Sequence, residues 1–201
     1  MGSPGTLRGS YAKTAERRRE ILDAGVEVFS SSGFRNGSIR EIAERVGISQ
    51  AGLLHHFSNK NELLAGVLEL RDDISRERMN MTPDGGIDTI RGLVDLVEYN
   101  SGVPGLVELY CVLSAEATSP EHPAHHYFIN RYSYVVGIAT ESFELMKSRG
   151  ELAPDVDPGS AARTLIALMD GLQVQWLLDR DSIDMVEEVR RYVRPLLTID
   201  L

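Results

Sequence analysis

The side chains best suited to chemistry fall into two stretches, and each suits a different chemistry. In the first, Gln50, Ala51, Gly52 and His55 are short or polar and none is acidic. Glutamine can pair bidentately with adenine and small residues can meet a thymine methyl, so this pattern fits the reading of base edges. Ser38, Arg40, Ser49, His56 and Lys60 flank it with groups that hold phosphate and set register. In the second stretch, 116–127, His122, His125 and His126 stand among Glu116 and Glu121. These are zinc-type donors, and His122 and His126 are one helical turn apart. A metal-dependent enzyme built on them is the alternative reading. Against it, no HExxH pattern is present and Pro123 makes His122 a cap, so a surface loop with hydrogen-bonding histidines is the better account.

No catalytic set emerges elsewhere. Cys111 has no partner in sequence and reads as a buried structural thiol. Ser10, Ser38 and Ser49 occupy arm or cap positions, and Gly85 and Gly86 belong to no phosphate loop. The expectation is a binding protein, not an enzyme, with no metal and no cofactor.

The first stretch is positioned by two short helices. Ser38 with Glu41 is a capping box that starts a helix at Ile39. Ile39, Ile42, Ala43 and Val46 form its apolar stripe, and Gly47 ends it in a left-handed turn. Ile48 anchors the turn, Ser49 caps the second helix, and Leu53 and Phe57 give that helix an inward face. This predicts a helix-turn-helix over 38–57. Gly52 costs about 1 kcal/mol relative to alanine inside a helix, which suits a helix whose backbone lies against a groove. Asn59 and Glu62 cap the next helix, 60–79. Lys60 sits in its first turn, where the helix dipole disfavours a cation and a nearby phosphate would favour one.

Bulk properties agree. The chain has 201 residues, 42% hydrophobic and 25% charged, which excludes neither a sizeable core nor solubility. No apolar run is long enough to span a bilayer, residues 1–12 lack a signal-peptide core, and a single cysteine suits a reducing cytoplasm. The net charge of −9 argues against nucleic acid until its distribution is considered. Residues 1–60 carry nine basic and six acidic side chains, so a basic head sits on an acidic body.

Along the chain, residues 1–12 read as a disordered arm whose Arg8, Tyr11 and Lys13 could reach the minor groove or backbone. A helix over 14–31 follows, buried through Ile21, Leu22, Gly25, Val28 and Phe29. Its Arg17, Arg18 and Arg19 point to several faces, so one or two could approach DNA. A breaker at 82–86 separates later helices opened by Pro104, by His122-Pro123 (running to about 149), by Asp157-Pro158 and after Ser182. The fold class is all-α, about nine helices, with a DNA-binding region over 1–60 and a regulatory and dimerisation region over 61–201.

The run Gly47-Ile48-Ser49 to His56-Phe57, then Asn59-Lys60-Asn61-Glu62-Leu63-Leu64, resembles the signature of the TetR (tetracycline-repressor) family of transcriptional regulators. The likeness extends upstream to Arg17-Arg18-Arg19-Glu20-Ile21-Leu22 and Val28-Phe29 and covers about 13–64. Leu54 stands where that family usually has tyrosine, which removes one hydroxyl contact. The resemblance implies a body that encloses a small-molecule inducer. Compatible lining is Tyr99, Leu106, Glu108, Tyr110, Cys111, Tyr127, Tyr134, Phe143 and Trp176, and Glu108, Glu116, Glu141 and Asp170 would admit a cationic ligand. It also implies a dimer through a four-helix bundle of the last two helices. Their wide apolar faces supply Leu165, Leu172, Trp176, Val189, Tyr192, Val193 and Leu196. One head makes too few base contacts, each worth about 1–3 kcal/mol, for genomic selectivity, whereas two on a palindromic operator suffice. A helix-turn-helix regulator without a ligand, governed by protein partners, is the nearer alternative.

Overall fold

Helix formation here follows from caps and apolar stripes, and the packing follows from two hydrophobic cores. A computed structural model describes residues 5–79 and 85–201, with side chains over 13–76 and 85–201. Among these residues nine α-helices occur in the order α1 (Gly5–Asn36), α2 (Ile39–Val46), α3 (Gln50–His56), α4 (Lys60–Met79), α5 (Ile87–Ser101), α6 (Pro104–Glu116), α7 (His125–Ser148), α8 (Pro158–Leu178) and α9 (Met185–Val193). A 3-10 turn, Arg194–Leu196, follows α9. No strand forms among the described residues, and a lone antiparallel bridge joins Leu152 to Leu197.

One core gathers Ile21, Val28, Phe29, Ile42, Leu53 and Phe57 from α1–α3 with Leu63, Leu64 and Val67 of α4. It continues into Leu109 and Leu113 of α6 and Phe128 of α7, so the helix-turn-helix is founded partly on the body. Where α1 crosses α4, a Cβ on Gly25 would lie 2.8 Å from Val67 Cγ2, and one on Gly66 would lie 2.9 Å from Leu22 Cδ2. Glycine lets these rods approach. The second core joins α5, α7, α8 and α9 around Leu93, Phe143, Leu165, Trp176 and Val189.

Three expectations need correction. The segment 5–12 is not an arm but the first turns of α1, because a helix whose later turns are packed extends at little cost while no proline intervenes. Residues 1–4 of the expected arm, and Thr82 to Asp84 of the expected breaker, lie outside the described residues, as do the Arg8 and Tyr11 side chains. The long helix starts at His125, not at Pro123: 120–124 form turns in which His122 Nδ1 accepts from the Ala124 N–H at 3.2 Å. Finally, Leu165, Leu172, Trp176, Val189 and Val193, expected at a dimer surface, turn inward and are buried within this one chain, while Tyr192 donates its hydroxyl to the Ala161 carbonyl and Leu196 is half-buried. The stripes of α8 and α9 that sequence periodicity marks as apolar are those that close the second core. The apolar and glycine positions that α8 leaves outside are Ala167, Gly171, Val174 and Leu178, with Val174 48% and Leu178 83% exposed.

α1 bends at Gly33, whose φ of 69° is costly for any side-chain-bearing residue. The freed Phe34 N–H donates to Glu116 Oε2 at 2.8 Å, at the C-terminal end of α6. No helix among the described residues is long and apolar enough to cross a membrane.

Candidate nucleic-acid interface

The recognition element is fixed by local hydrogen bonds. Ser38 Oγ accepts from the Glu41 N–H at 3.1 Å, starting α2. Glu41 does not return the second bond of the capping box but pairs with Arg45 at 3.2 Å. Gly47, at φ 72°, closes α2, and the Ile48 N–H donates to the Ala43 carbonyl at 3.0 Å. Ser49 Oγ then accepts from the Gly52 N–H at 3.0 Å. A Cβ on Gly52 would stand 3.3 Å from that oxygen, a tight contact. Gly52 therefore protects a cap as well as leaving a slim edge.

α3 buries Leu53, and Phe57 beyond its end is buried too. Gln50, Ala51 and His55 are exposed, and His56 and Gly52 are half-buried on the same outward side. Leu54, 36% exposed, joins this face with an apolar side chain. Arg18 explains why the helix holds its angle. Its Nη1 donates to the His56 carbonyl at 2.8 Å while its guanidinium lies 4.0 Å from the Phe57 ring centre. Arg17 reaches the Val46 carbonyl at 3.4 Å and Glu20 at 2.7 Å, and Arg19 pairs with Asp23 at 3.0 Å. Two of the three arginines thus clamp the ends of α2 and α3. Burial first, then His55, Arg18 and Arg17, push the His56 imidazole below its ordinary value, so it is neutral at pH 7.

Arg40 is exposed beside Glu44 at 2.8 Å, and Lys13 is exposed on α1. Lys60 is placed differently from expectation. Its Nζ donates to the Arg35 carbonyl at 3.2 Å and stands 4.5 Å from the Phe34 ring centre. The carbonyl end of α1 supplies the negative partner that a cation in the first turn of α4 requires. Burial lowers the Lys60 ammonium below its usual range, and nearby Glu116 partly opposes this.

In the body the expected lining residues separate. Tyr110 borders a cavity of about 40 Å³ with Arg71, Arg131 and Asp170. Tyr127 and Tyr134 border an open groove of about 370 Å³ between α4 and α7, and Tyr127 also borders a second groove of about 290 Å³. Phe143 and Trp176 are core. Tyr99, Leu106 and Glu108 are half-buried and border none of these three spaces. Cys111 is half-buried, and desolvation pushes its thiol up to about 11, leaving it unreactive. Of the carboxylates, Glu141 is exposed, Glu116 holds Phe34, and Asp170 accepts from Tyr132 at 2.7 Å. His122 Nε2 lies 3.5 Å from Glu116 Oε2, His125 Nδ1 meets the Ala117 carbonyl at 2.8 Å, and His126 is exposed. The three histidines converge on no common point, and the described residues contain no group of three donors able to hold a metal. Sequence reasoning missed the buried Arg71 and Arg131 and the half-buried Asp72 beside them, whose charges in mid-helix were the available signal.

These features agree with relatives. Residues 21–67 match the family model described as "Bacterial regulatory proteins, tetR family", and 111–198 match "BetI-type transcriptional repressor, C-terminal". The HTH-type transcriptional regulator TtgR of Pseudomonas putida is 26% identical over 205 residues, covering 93% of this chain and 92% of that protein. A TetR-family protein from Rhodococcus superposes with a TM-score of 0.73 at 23% identity, over 92% of this chain and 100% of that one. A protein from Saccharomonospora viridis in complex with choline does so at 0.76 and 21% identity, over the same shares. With its capped recognition helix turned outward and its two family segments in order, the chain is a DNA-binding helix-turn-helix regulator of the TetR family, not an enzyme.

Proposed function

We propose that the chain is a homodimeric repressor, acting in the cytoplasm, that leaves a palindromic operator when a small molecule occupies its body. The carrying observation is the outward face of α3, free of acidic side chains and held by Ser49 and Arg18. Two such helices enter successive major grooves, about 34–36 Å apart. Gln50, Ala51, Gly52 and His55 read bases, while Ser38, Arg40, Ser49 and His56 hold phosphates. Lys60 joins them by exchanging the Arg35 carbonyl for a phosphate, and Arg8 and Lys13 lie on the α1 turns nearest the chain start. Ala167, Gly171, Val174 and Leu178 supply the dimer face in place of the inward stripe, since exposed apolar groups at this spacing suit helix-on-helix packing. The ligand acts by binding the DNA-bound and released states with different affinity.

The test is selection of sites from random duplexes with the purified full chain, alongside its mass in solution. Enrichment of a two-fold symmetric site is expected, with Leu178→Glu giving monomer and losing most of the affinity. A monomer that enriches no sequence overturns the reading.

A further inference from the structure

Arg71 on α4 and Arg131 on α7 are the only buried arginines or lysines among the described residues, their side chains 8% and 6% exposed. Both border the cavity of about 40 Å³, and Arg71 Nη1 and Arg131 Nε have no hydrogen-bond partner among the described residues. Asp72 Oδ1 lies 3.0 Å from Arg131 Nη1 and 3.6 Å from Arg71 Nη1, the nearest opposite charge to both. Asp170, also on the cavity, accepts from Tyr132; burial raises its carboxyl above its ordinary value, while the Tyr132 hydrogen bond and the Arg71 and Arg131 charges act against that rise. Among the described residues both guanidiniums make their ion pair with the same carboxylate, Asp72, and each keeps a nitrogen without a hydrogen bond. Buried charged donors without acceptors are costly, and a bound anionic group is one partner that would complete them.

The sign of that group follows. The face of Tyr110, which could receive an alkylammonium, is already covered by the Arg71 guanidinium at 4.0 Å. At about 40 Å³, against about 370 Å³ for the groove between α4 and α7, the cavity admits only a compact group. Arg131 also borders the groove of about 370 Å³, where Tyr127 and Tyr134 offer apolar rings and the buried Tyr127 hydroxyl has no hydrogen-bond partner among the described residues.

We propose that the effector is a carboxylate whose anionic group binds Arg131 and Arg71 while its body lies in the groove between α4 and α7. This rests on the reading of the chain as an effector-released DNA binder. The carboxylate takes Arg131 from Asp72. Asp72 belongs to α4, the rod that begins at Lys60 beside the recognition helix, so its release is felt at the head. The effector is thus opposite in charge to the choline seen with the Saccharomonospora protein.

The experiment exposes the full-length protein to acetate, hexanoate and phenylacetate, to the amide of each, and to choline at matched ionic strength. Melting temperature and affinity for the selected duplex are read in parallel. At least one carboxylate should raise the melting temperature and weaken DNA binding about tenfold. Its amide and choline should do neither, and Arg131→Gln should abolish the response. Choline acting alone, acid and amide acting equally, silence from every carboxylate, or a full response in Arg131→Gln each overturns the proposal. If Arg131→Gln does not fold, the acid-against-amide comparison on the unaltered chain decides. DNA binding without any probe is measured in the same series: its loss sinks the regulator reading, whereas its presence with silent acids sinks only the carboxylate.

Discussion

The recognition helix α3 and the charged cluster shared by α4, α7 and α8 are built in opposite ways. In the head, each capping side chain finds its partner three residues ahead: Ser38 with Glu41, Ser49 with Gly52, Asn59 with Glu62. Many of its charges are exposed and paired along one helix, as Arg40 with Glu44, and those that cross between helices, such as Arg18 to the His56 carbonyl, find a partner. In the body, Arg71, Asp72, Arg131 and Asp170 come from three helices, are largely withdrawn from water, and leave donors unmade. A surface meant to meet a highly charged duplex is rigid by itself and solvated. The proposed effector site carries an incomplete polar network.

The sharpest test of this contrast removes one arginine from each region. Arg131→Gln strips Asp72 of its closest partner in a mostly buried setting. It should cost about 3 kcal/mol in denaturant unfolding, the low end for breaking a buried pair because Asp72 is partly exposed. Arg40→Gln should leave unfolding unchanged and lower DNA affinity alike on all sequences, with a shallower salt dependence. Equal destabilisation by both would erase the distinction. Next in size, Gln50→Ala should relax discrimination at one base position by about 1–3 kcal/mol, measured by competition among operator variants. A uniform loss across variants would instead place Gln50 on the backbone. Ser49→Ala should then cost about 1 kcal/mol of stability through the lost cap, and Ser49→Gly only a few tenths.

The smallest expected effect is one of pH. Burial chiefly holds the His122 imidazole below its ordinary value, Glu116 pulls it up through its charge and hydrogen bond, and Arg35 pushes it down. Its Nδ1 accepts from Ala124 and so must be unprotonated in the fold. The unfolded chain takes the proton first. The contribution is therefore complete above the ordinary histidine value, about 6.5, and is lost as pH falls through the lower folded value. Melting curves from neutral to mildly acidic pH should show a decline that His122→Phe reduces. Parallel declines in both proteins would assign the effect elsewhere.

The same contrast explains what could be read in advance. The turn at Gly47, the caps at Ser38, Ser49 and Asn59, and the start of α4 at Lys60 rest on neighbours within four residues, and all were legible. The inward and outward stripes of α8 were not. Both carry apolar residues, and only packing against α5, α7 and α9 decides that Leu172 and Trp176 are core while Val174 and Leu178 face out. Lys60 was anomalous in the sequence, but the group that satisfies it, the Arg35 carbonyl, comes from a bend in α1. Nor could helical spacing reveal that Arg71 would cover Tyr110, a pairing made by two helices far apart in the chain.

The bend at Gly33 sets a limit on modular redesign. A Cβ there would lie within bonding conflict of Glu116 Oε1, and the same carboxylate occupies the Phe34 N–H. A head transplanted onto a foreign trunk would arrive with an open amide and a glycine no longer held, and its angle to the duplex would be lost. Engineers exchanging sensor halves among such proteins should carry position 116 with the amino-terminal half, although eighty-two residues separate it from Phe34.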